Sequence, residues 1–532
     1  MEDSTGVSTE PRPDPTRDAP AVAPVALLAL GVGVPSLRLA ARDVGAVWGA
    51  GGGKHAVALC DADEDTLTLA WAAAVDALRA AALRPEAVDG LWWGTSRPPF
   101  AEGPSHAFLA TALGLPDDVG GALAAGSPHA GLEALFAAWD ALAAGHCATA
   151  LVVASDALVP GLGTAGEATT GAGAVAWLLG AGSAPANGSG PPARLVARSR
   201  GHMAVVDRYR GDGQVATGDV YDGRLFREEV FLPLVSRVGA QLATAPATPV
   251  GGWSVGDVDG KLAGAAARAL GAALVSSAVT DQLGDTGAAA SLLGALPALG
   301  EAGTVGIAGY GGGRASALLV EVARPVPGAA GGLAKLSGGR TVGYTEAAKA
   351  RGQLVAMADP IPMGVPPASA AFVRGAVEML SLEGARCTTC GTIATPPSIH
   401  PHCPGCGGVG RDIVHLARRG RVETFVVNQT MPPPFQAPLP LMVIDLEDGA
   451  RVMLQGSPAD AEDLRIGDAV TLHLRRYAVE RHIPVYGYKA LRAVDAGGDA
   501  GAGTGVGAGT GVGAGTGVGA GTSAAVTEGS TR

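Results

Sequence analysis

Cys387-Thr-Thr-Cys390, followed after twelve residues by Cys403-Pro-Gly-Cys406, decides how this sequence divides. Two Cys-x-x-Cys knuckles at this spacing match a zinc ribbon, in which each knuckle gives two thiolates to one tetrahedral Zn2+. Sulfur at all four positions leaves no open site for a reacting water, so the expected metal is structural. His400 and His402 flank the second knuckle and offer alternative ligands, though a loop role is favoured for both. Six cysteines in 532 residues are not a disulfide scaffold, and no charged-then-apolar leader opens the chain. Cys60 and Cys147 read as core cysteines.

Working outward from the knuckles, the hydrophobic rhythm changes once. Residues 25–352 alternate short Val/Leu/Ala strands with Ala-rich helices, as in DTLTLAWAAAVDALRAAAL, VDGLWWGT, AGLEALFAAWDALAAG and ATALVVASDAL. That alternation predicts an α/β layered fold. From about residue 418 the pattern is strand only: RVETFVVNQT, LPLMVIDLE, ARVMLQG, DAVTLHLRR and PVYGYKALRA. Five short strands after a ribbon suit a small Greek-key barrel of the OB type. The Pro-rich DPIPMGVPP reads as a linker. The expected organisation is a flexible segment 1–24, an α/β domain 25–353, a linker 354–374, a ribbon 375–417, an OB barrel 418–493 and a flexible Gly-rich tail 494–532. The tail repeat GAGTGVGAGT has no large side chain to bury and cannot offset its ordering entropy.

The formal charge of −11 and the absence of a basic, aromatic-interleaved stripe argue against nucleic acid as a partner. Mean hydropathy is +0.26, yet no run approaches eighteen apolar residues, so no membrane span is expected. Cytoplasm is the expected compartment.

The α/β half resembles the hydroxymethylglutaryl-CoA synthase family of the thiolase-like superfamily. In chain order, GVGVPSLRLAARDVGAVWG, DADEDTLTLA, GTSRPPFAEGPS, VVDRYRGDG, YDGRLFREEVF, GDTGAAASLLGAL, GYGGGRASALLVEV and YTEAAKARG carry the resemblance. It implies a layered αβαβα fold, a homodimer whose strands pair into one sheet, and CoA or acyl-CoA as ligand. Residues 375–493 resemble the ribbon-plus-OB family that accompanies acyl-CoA thiolases and synthases, through GARCTTCGTIATPP, HCPGCG, GRVETFVVNQT and LRIGDAVTLHLRR. That resemblance implies a thiolase-type enzyme as partner.

The synthase pattern fails where chemistry is done. The family needs a nucleophilic thiolate, an acid/base carboxylate, and a His and an Asn on the thioester oxygen. The family's A-C-K-A-G-T-A-A-L aligns with SPHAGLEAL, which sets Pro128 at the nucleophile position. The acid/base position falls on Ser96, the His position on Gly256 and the Asn position on Asp285, an anion that would oppose a developing oxyanion. A one-residue slip would place Ser127 at the nucleophile, but His129 two residues on points away from it on a helix, and no G-x-S-x-G elbow is present. Ser127-Pro128 reads instead as a helix start.

Three weaker signals have plain readings. Gly311-Gly312-Gly313 is a structural turn. Asp61, Asp63, Glu64 and Asp65 precede a helix and read as capping rather than as a cation site. Arg208, Arg210, Arg224 and Lys261 are candidates for CoA phosphates, against a solvated surface. Two functions remain: a non-catalytic acyl-CoA-associated binding or scaffolding protein, favoured by the residues, and an acyltransferase of the synthase type with relocated catalytic groups.

Overall fold

The computed structural model describes residues 25–49, 53, 55–181, 190–218, 222–242, 245, 248–256, 262–354, 376–431, 437–480 and 483–493. The expected flexible ends, nearly all of the linker, and Lys261 lie outside the described residues.

The α/β half is built on strands β1 (Val25–Gly33), β2 (Leu37–Ala40), β3 (Ala56–Leu59), β4 (Gly90–Thr95), β5 (Gly120–Ala125), β6 (Thr149–Ala157), β7 (Ala172–Ala181), β8 (Ala193–His202), β9 (Val250–Val255), β10 (Gly303–Gly311), β11 (Arg314–Val322) and β12 (Arg340–Thr341). Nine of these run in the order β5-β4-β6-β7-β1-β8-β11-β10-β9. β1 and β8 pair only over Val25–Leu27, so the sheet has two halves hinged at that contact.

Side chains alternate between the two faces of a strand, and the alternation here fixes the layers. On β6, Leu151 and Val153 face the helix Thr66–Ala80, whereas Val152 and Ala154 join the core of the helix Ala130–Ala143. On β11, Leu318 and Val320 belong to that same central core, whereas Ala317 and Leu319 pack with the helix Leu232–Ala240. Helix, half-sheet, helix, half-sheet, helix is the αβαβα sandwich. The central layer is Ala130–Ala143 together with the short helices over 290–299.

With the helices labelled α1 (Ala41–Trp48), α2 (Thr66–Ala80), α3 (Ser105–Leu113) and α4 (Ala130–Ala143), α2 is the one that positions most else. Asp65 caps it, accepting from the Leu67 and Thr68 N–H groups, while Thr68 Oγ1 accepts from the Asp65 N–H at 2.8 Å. This reciprocal box confirms the capping role at Asp65. α2 then lies so close to β1 that a Cβ on Gly31 would come within 2.2 Å of Ala73 O.

Beyond residue 375, β13 (Glu383–Cys387), β14 (Ile393–Ala394) and β15 (Arg411–His415) form the ribbon sheet, in the order β14-β13-β15. β16 (Arg419–Asn428), β17 (Leu439–Leu446), β18 (Arg451–Gln455), β19 (Ala469–Glu480) and β20 (Ile483–Arg492) follow, ordered β18-β17-β16-β19-β20 with antiparallel pairing throughout. The five predicted strands are the five observed.

The barrel sits on the α/β half through a continuous apolar core. Leu67, Trp71 and Leu113 pack in one cluster with Leu472, Leu474, Tyr486 and Tyr488. Around that core runs an ionic seam. Glu64 meets Arg475 Nη1 at 2.8 Å, Asp63 meets Lys489 Nζ at 2.7 Å, and the Tyr486 hydroxyl donates to Asp65 Oδ2 at 2.7 Å. Arg418 lies over the Trp71 ring, 4.9 Å from its centroid, and donates to Ala112 O. The acidic run therefore does more than cap: Asp63 and Glu64 are docking groups for the barrel, a use that helix capping left unread.

The seam yields a prediction. Glu64 is 2% exposed, so Arg475→Ala strands a buried carboxylate. Loss of one partner of a buried pair costs about 3–5 kcal/mol. Denaturant unfolding is expected to show a loss of that order for Arg475→Ala and little change for Arg451→Ala, whose partner Asp445 is exposed. Equal effects would contradict the seam.

Candidate functional site

A cavity of about 450 Å3 opens at the carboxyl ends of β9 and β10, between the two half-sheets. Pro128, Gly256 and Asp285 all border it. Three of the four positions singled out in the sequence thus converge, although they are far apart along the chain. Ser96 does not border it. Its N–H donates to Asp156 Oδ1 at 2.9 Å.

Asp156 is fully buried and fixes the surroundings of the cavity. It accepts from Thr95 Oγ1 at 2.9 Å, Arg97 N at 3.2 Å and Ala288 N at 2.7 Å, and so ties the loop after β4 to the segment that carries Asp285. Burial pushes its carboxyl up to about 6, against the lowering effect of those donors.

Asp285 is not an isolated anion. Its Oδ2 lies 2.9 Å from Arg208 Nη1, and its Oδ1 accepts from the Gly287 N–H at 2.9 Å. Arg208 is therefore a cavity residue with a carboxylate partner, neither a surface cation nor a free phosphate ligand. Arg210 and Arg224 stay exposed, the first donating to Gln214 O and the second 3.5 Å from Glu228.

The His129 imidazole is engaged away from Ser127. It contacts Ser316 Oγ through Nε2 at 2.9 Å and Glu133 Oε1 through Nδ1 at 3.0 Å. Ser127 Oγ instead accepts the His129 N–H at 3.2 Å, a local turn just before α4, which begins at Ala130. Ser316, His129 and Glu133 form a Ser-His-carboxylate array that sequence reading missed, since Ser316 lies 187 residues away. Ser316 is fully buried, His129 is 2% exposed, and neither borders the cavity. Gly312 and Gly313, at φ 57° and 72°, make the two-residue turn of the β10–β11 hairpin, as the structural reading expected.

The second candidate is the four-cysteine cluster. The ligand atoms of Cys387, Cys390, Cys403 and Cys406 all lie within 4.8 Å of one another, with Cys387–Cys406 at 3.6 Å and Cys390–Cys403 at 3.5 Å. A tetrahedron with metal–sulfur bonds of about 2.3 Å has edges of about 3.8 Å, so the set fits one ion. The two knuckles close alike: the Gly391 N–H donates to Cys387 O and the Gly407 N–H to Cys403 O, at 3.0 and 2.8 Å, with both glycines at positive φ. Contacts with the Thr392 side chain and backbone lower the Cys390 thiol to about 6. His400 and His402 are outside the cluster.

The geometry defines a class of protein: a thiolase-like α/β sandwich fused to a four-cysteine ribbon and an OB barrel. Residues 413–475 match the model of the ChsH2 C-terminal OB-fold domain. A DUF35 domain-containing scaffold protein of Methanothermobacter thermautotrophicus is 32% identical over 114 residues, 20% of this chain and 84% of that protein. The chain belongs, through that portion, to the DUF35 domain family. The hydroxymethylglutaryl-CoA synthase of Thermococcus sibiricus is 32% identical over 157 residues, which cover 29% of this chain. The chain spans about half the length of that synthase, 45%. The structure of MvaS in complex with 3-hydroxy-3-methylglutaryl coenzyme A matches with TM-score 0.54 and 24% identity, over 64% of this chain and 95% of that one, which establishes the fold.

Proposed function

We propose that this chain is a non-catalytic acyl-CoA-associated protein, in which the thiolase-like half holds or shields an acyl-CoA and the ribbon and barrel dock a catalytic thiolase-type enzyme. The observation that carries the reading is the cavity wall. Pro128, Gly256 and Asp285 stand where the synthase resemblance requires Cys, His and Asn, and none of the described residues bordering the cavity is a cysteine or histidine. Without a thiolate there is no covalent acyl-enzyme. With Asp285 held against Arg208, an oxyanion would meet a carboxylate where the family offers a donor. The match to a scaffold protein supports a docking role, and the solved neighbour that binds 3-hydroxy-3-methylglutaryl coenzyme A supports the ligand class. Identity to an archaeal synthase favours the second reading, an acyltransferase with relocated groups.

The expected outcome is no hydroxymethylglutaryl-CoA synthesis by the purified chain, and no covalent acyl adduct by mass spectrometry after exposure to acetyl-CoA. Pro128→Cys alone restores nothing, because one missing oxyanion donor already costs about a hundredfold to a thousandfold. Steady turnover, or an acyl group on Ser127, would establish the acyltransferase instead.

For the cysteine cluster, the metal proposed is one structural Zn2+ per chain, held by Cys387, Cys390, Cys403 and Cys406. Elemental analysis of reduced protein is expected to give one zinc per chain. Replacing Cys387 and Cys390 with serine removes the metal and unfolds the ribbon, since metal binding and folding are linked in such modules. Reduced, folded protein free of zinc and iron would overturn this.

A homodimer is proposed through β5, the terminal strand of the nine-stranded sheet. Its Gly120–Ala122 stretch is exposed, and its outer edge has no strand partner among the described residues. An uncovered edge is a site for pairing with another chain. Sedimentation at micromolar concentration is expected to give a dimer and Leu123→Pro a monomer; a monomeric parent protein would refute the assignment.

A further inference from the structure

The walls of the cavity carry information about the acyl group itself. Phe226 and Phe231 both border the cavity, five residues apart. In an α-helix, at about 100° per residue, they would point about 140° apart. Here Phe226–Phe231 is a π-helical turn with i→i+5 hydrogen bonds, a wider coil that brings both rings to one side. They meet Tyr310 edge-on, with centroids 5.4 Å (Phe226) and 5.7 Å (Phe231) from the tyrosine ring. The result is a preformed aromatic wall.

Another part of the lining carries little side chain. Pro128, Gly256, Gly309 and Gly311 also border the cavity, the three glycines without side chains. A Cβ built on Gly256 would meet Ser291 and Ala290 at 3.5–3.7 Å, ordinary contact distance, so a side chain there would start without a clash. The charges complete the description. Among the described residues, two carboxylates, Asp207 and Asp285, and one guanidinium, Arg208, border the cavity, and Arg208 is committed to Asp285. Asp207 is 8% exposed, and the described walls carry a formal excess of one negative charge.

Given acyl-CoA as the ligand class, on which this selectivity rests, we infer that the cavity selects a bulky, uncharged, apolar acyl group and rejects one that ends in a carboxylate. An aromatic or branched acyl chain replaces water against Phe226, Phe231 and Tyr310 and gains by burial. A terminal carboxylate would lose its hydration beside Asp207, with Arg208, the cation among the described lining residues, already paired to Asp285.

Calorimetry of the full chain with CoA, acetyl-CoA, phenylacetyl-CoA and glutaryl-CoA tests this at one ionic strength. Phenylacetyl-CoA is expected to bind at least about tenfold tighter than CoA or acetyl-CoA, and glutaryl-CoA no tighter than CoA. Gly256→Leu, which puts a branched side chain on a cavity-lining glycine, is expected to remove the phenylacetyl advantage. Asp207→Asn is expected to strengthen glutaryl-CoA binding several-fold. Equal affinity for all four ligands, or tightest binding of glutaryl-CoA, overturns the selectivity and leaves the acyl-CoA reading intact. Failure of every ligand, CoA included, overturns both.

Discussion

The carboxylate of Glu64 is the junction on which most of this structure hangs. It accepts from the Ser36 N–H at 2.9 Å, from the Ser36 hydroxyl at 2.6 Å and from the Asp61 N–H at 3.0 Å, and it pairs with Arg475 at 2.8 Å. Ser36 leads into the small β2–β3–β12 sheet, Asp61 starts the turn into α2, and Arg475 comes from β19 of the barrel. One buried charge therefore holds three parts of the fold in register. Burial of an ion is costly unless its hydrogen-bonding capacity is filled, and here four donors fill it. Asp63 and Asp65 repeat the arrangement beside it with Lys489 and Tyr486.

That junction shapes the functional argument. The barrel of a DUF35-type module is engaged here by α2 of its own chain, across an apolar core shared between the two halves. The α/β half keeps a cavity in its central layer, framed by the Asp156 network and by the Arg208–Asp285 pair. A site built this way has the rigidity that binding requires. Its walls carry apolar rings, glycines and a closed ion pair, the features from which the proposed binding role is argued.

Local patterns carried much of this into the sequence. The knuckle spacing identified the four sulfurs that the fold gathers, because two tight turns need only Cys-x-x-Cys-Gly to form. Strand alternation and the acidic helix start were equally local, and the five barrel strands and the Asp65 cap followed from them. Pro128, Gly256 and Asp285 converged because a family resemblance supplied the three-dimensional map that periodicity lacks. Long-range partners left no such trace. Arg208 lies 77 residues from Asp285 and Tyr486 421 residues from Asp65, so neither pairing is written in spacing or composition. The same limit hid Ser316 beside His129. Capping was a sufficient local explanation of Asp63 and Glu64, and it concealed their second use in holding the barrel.

The central claim is that an acyl thioester rests in the cavity unreacted. A crystal structure of the full chain grown with acetyl-CoA tests it most directly. The account predicts an intact thioester beside Pro128 and the Arg208–Asp285 pair, with no density joining the acetyl carbon to the protein. An acetyl group bonded to a side chain, or CoA bound away from this cavity, would contradict it.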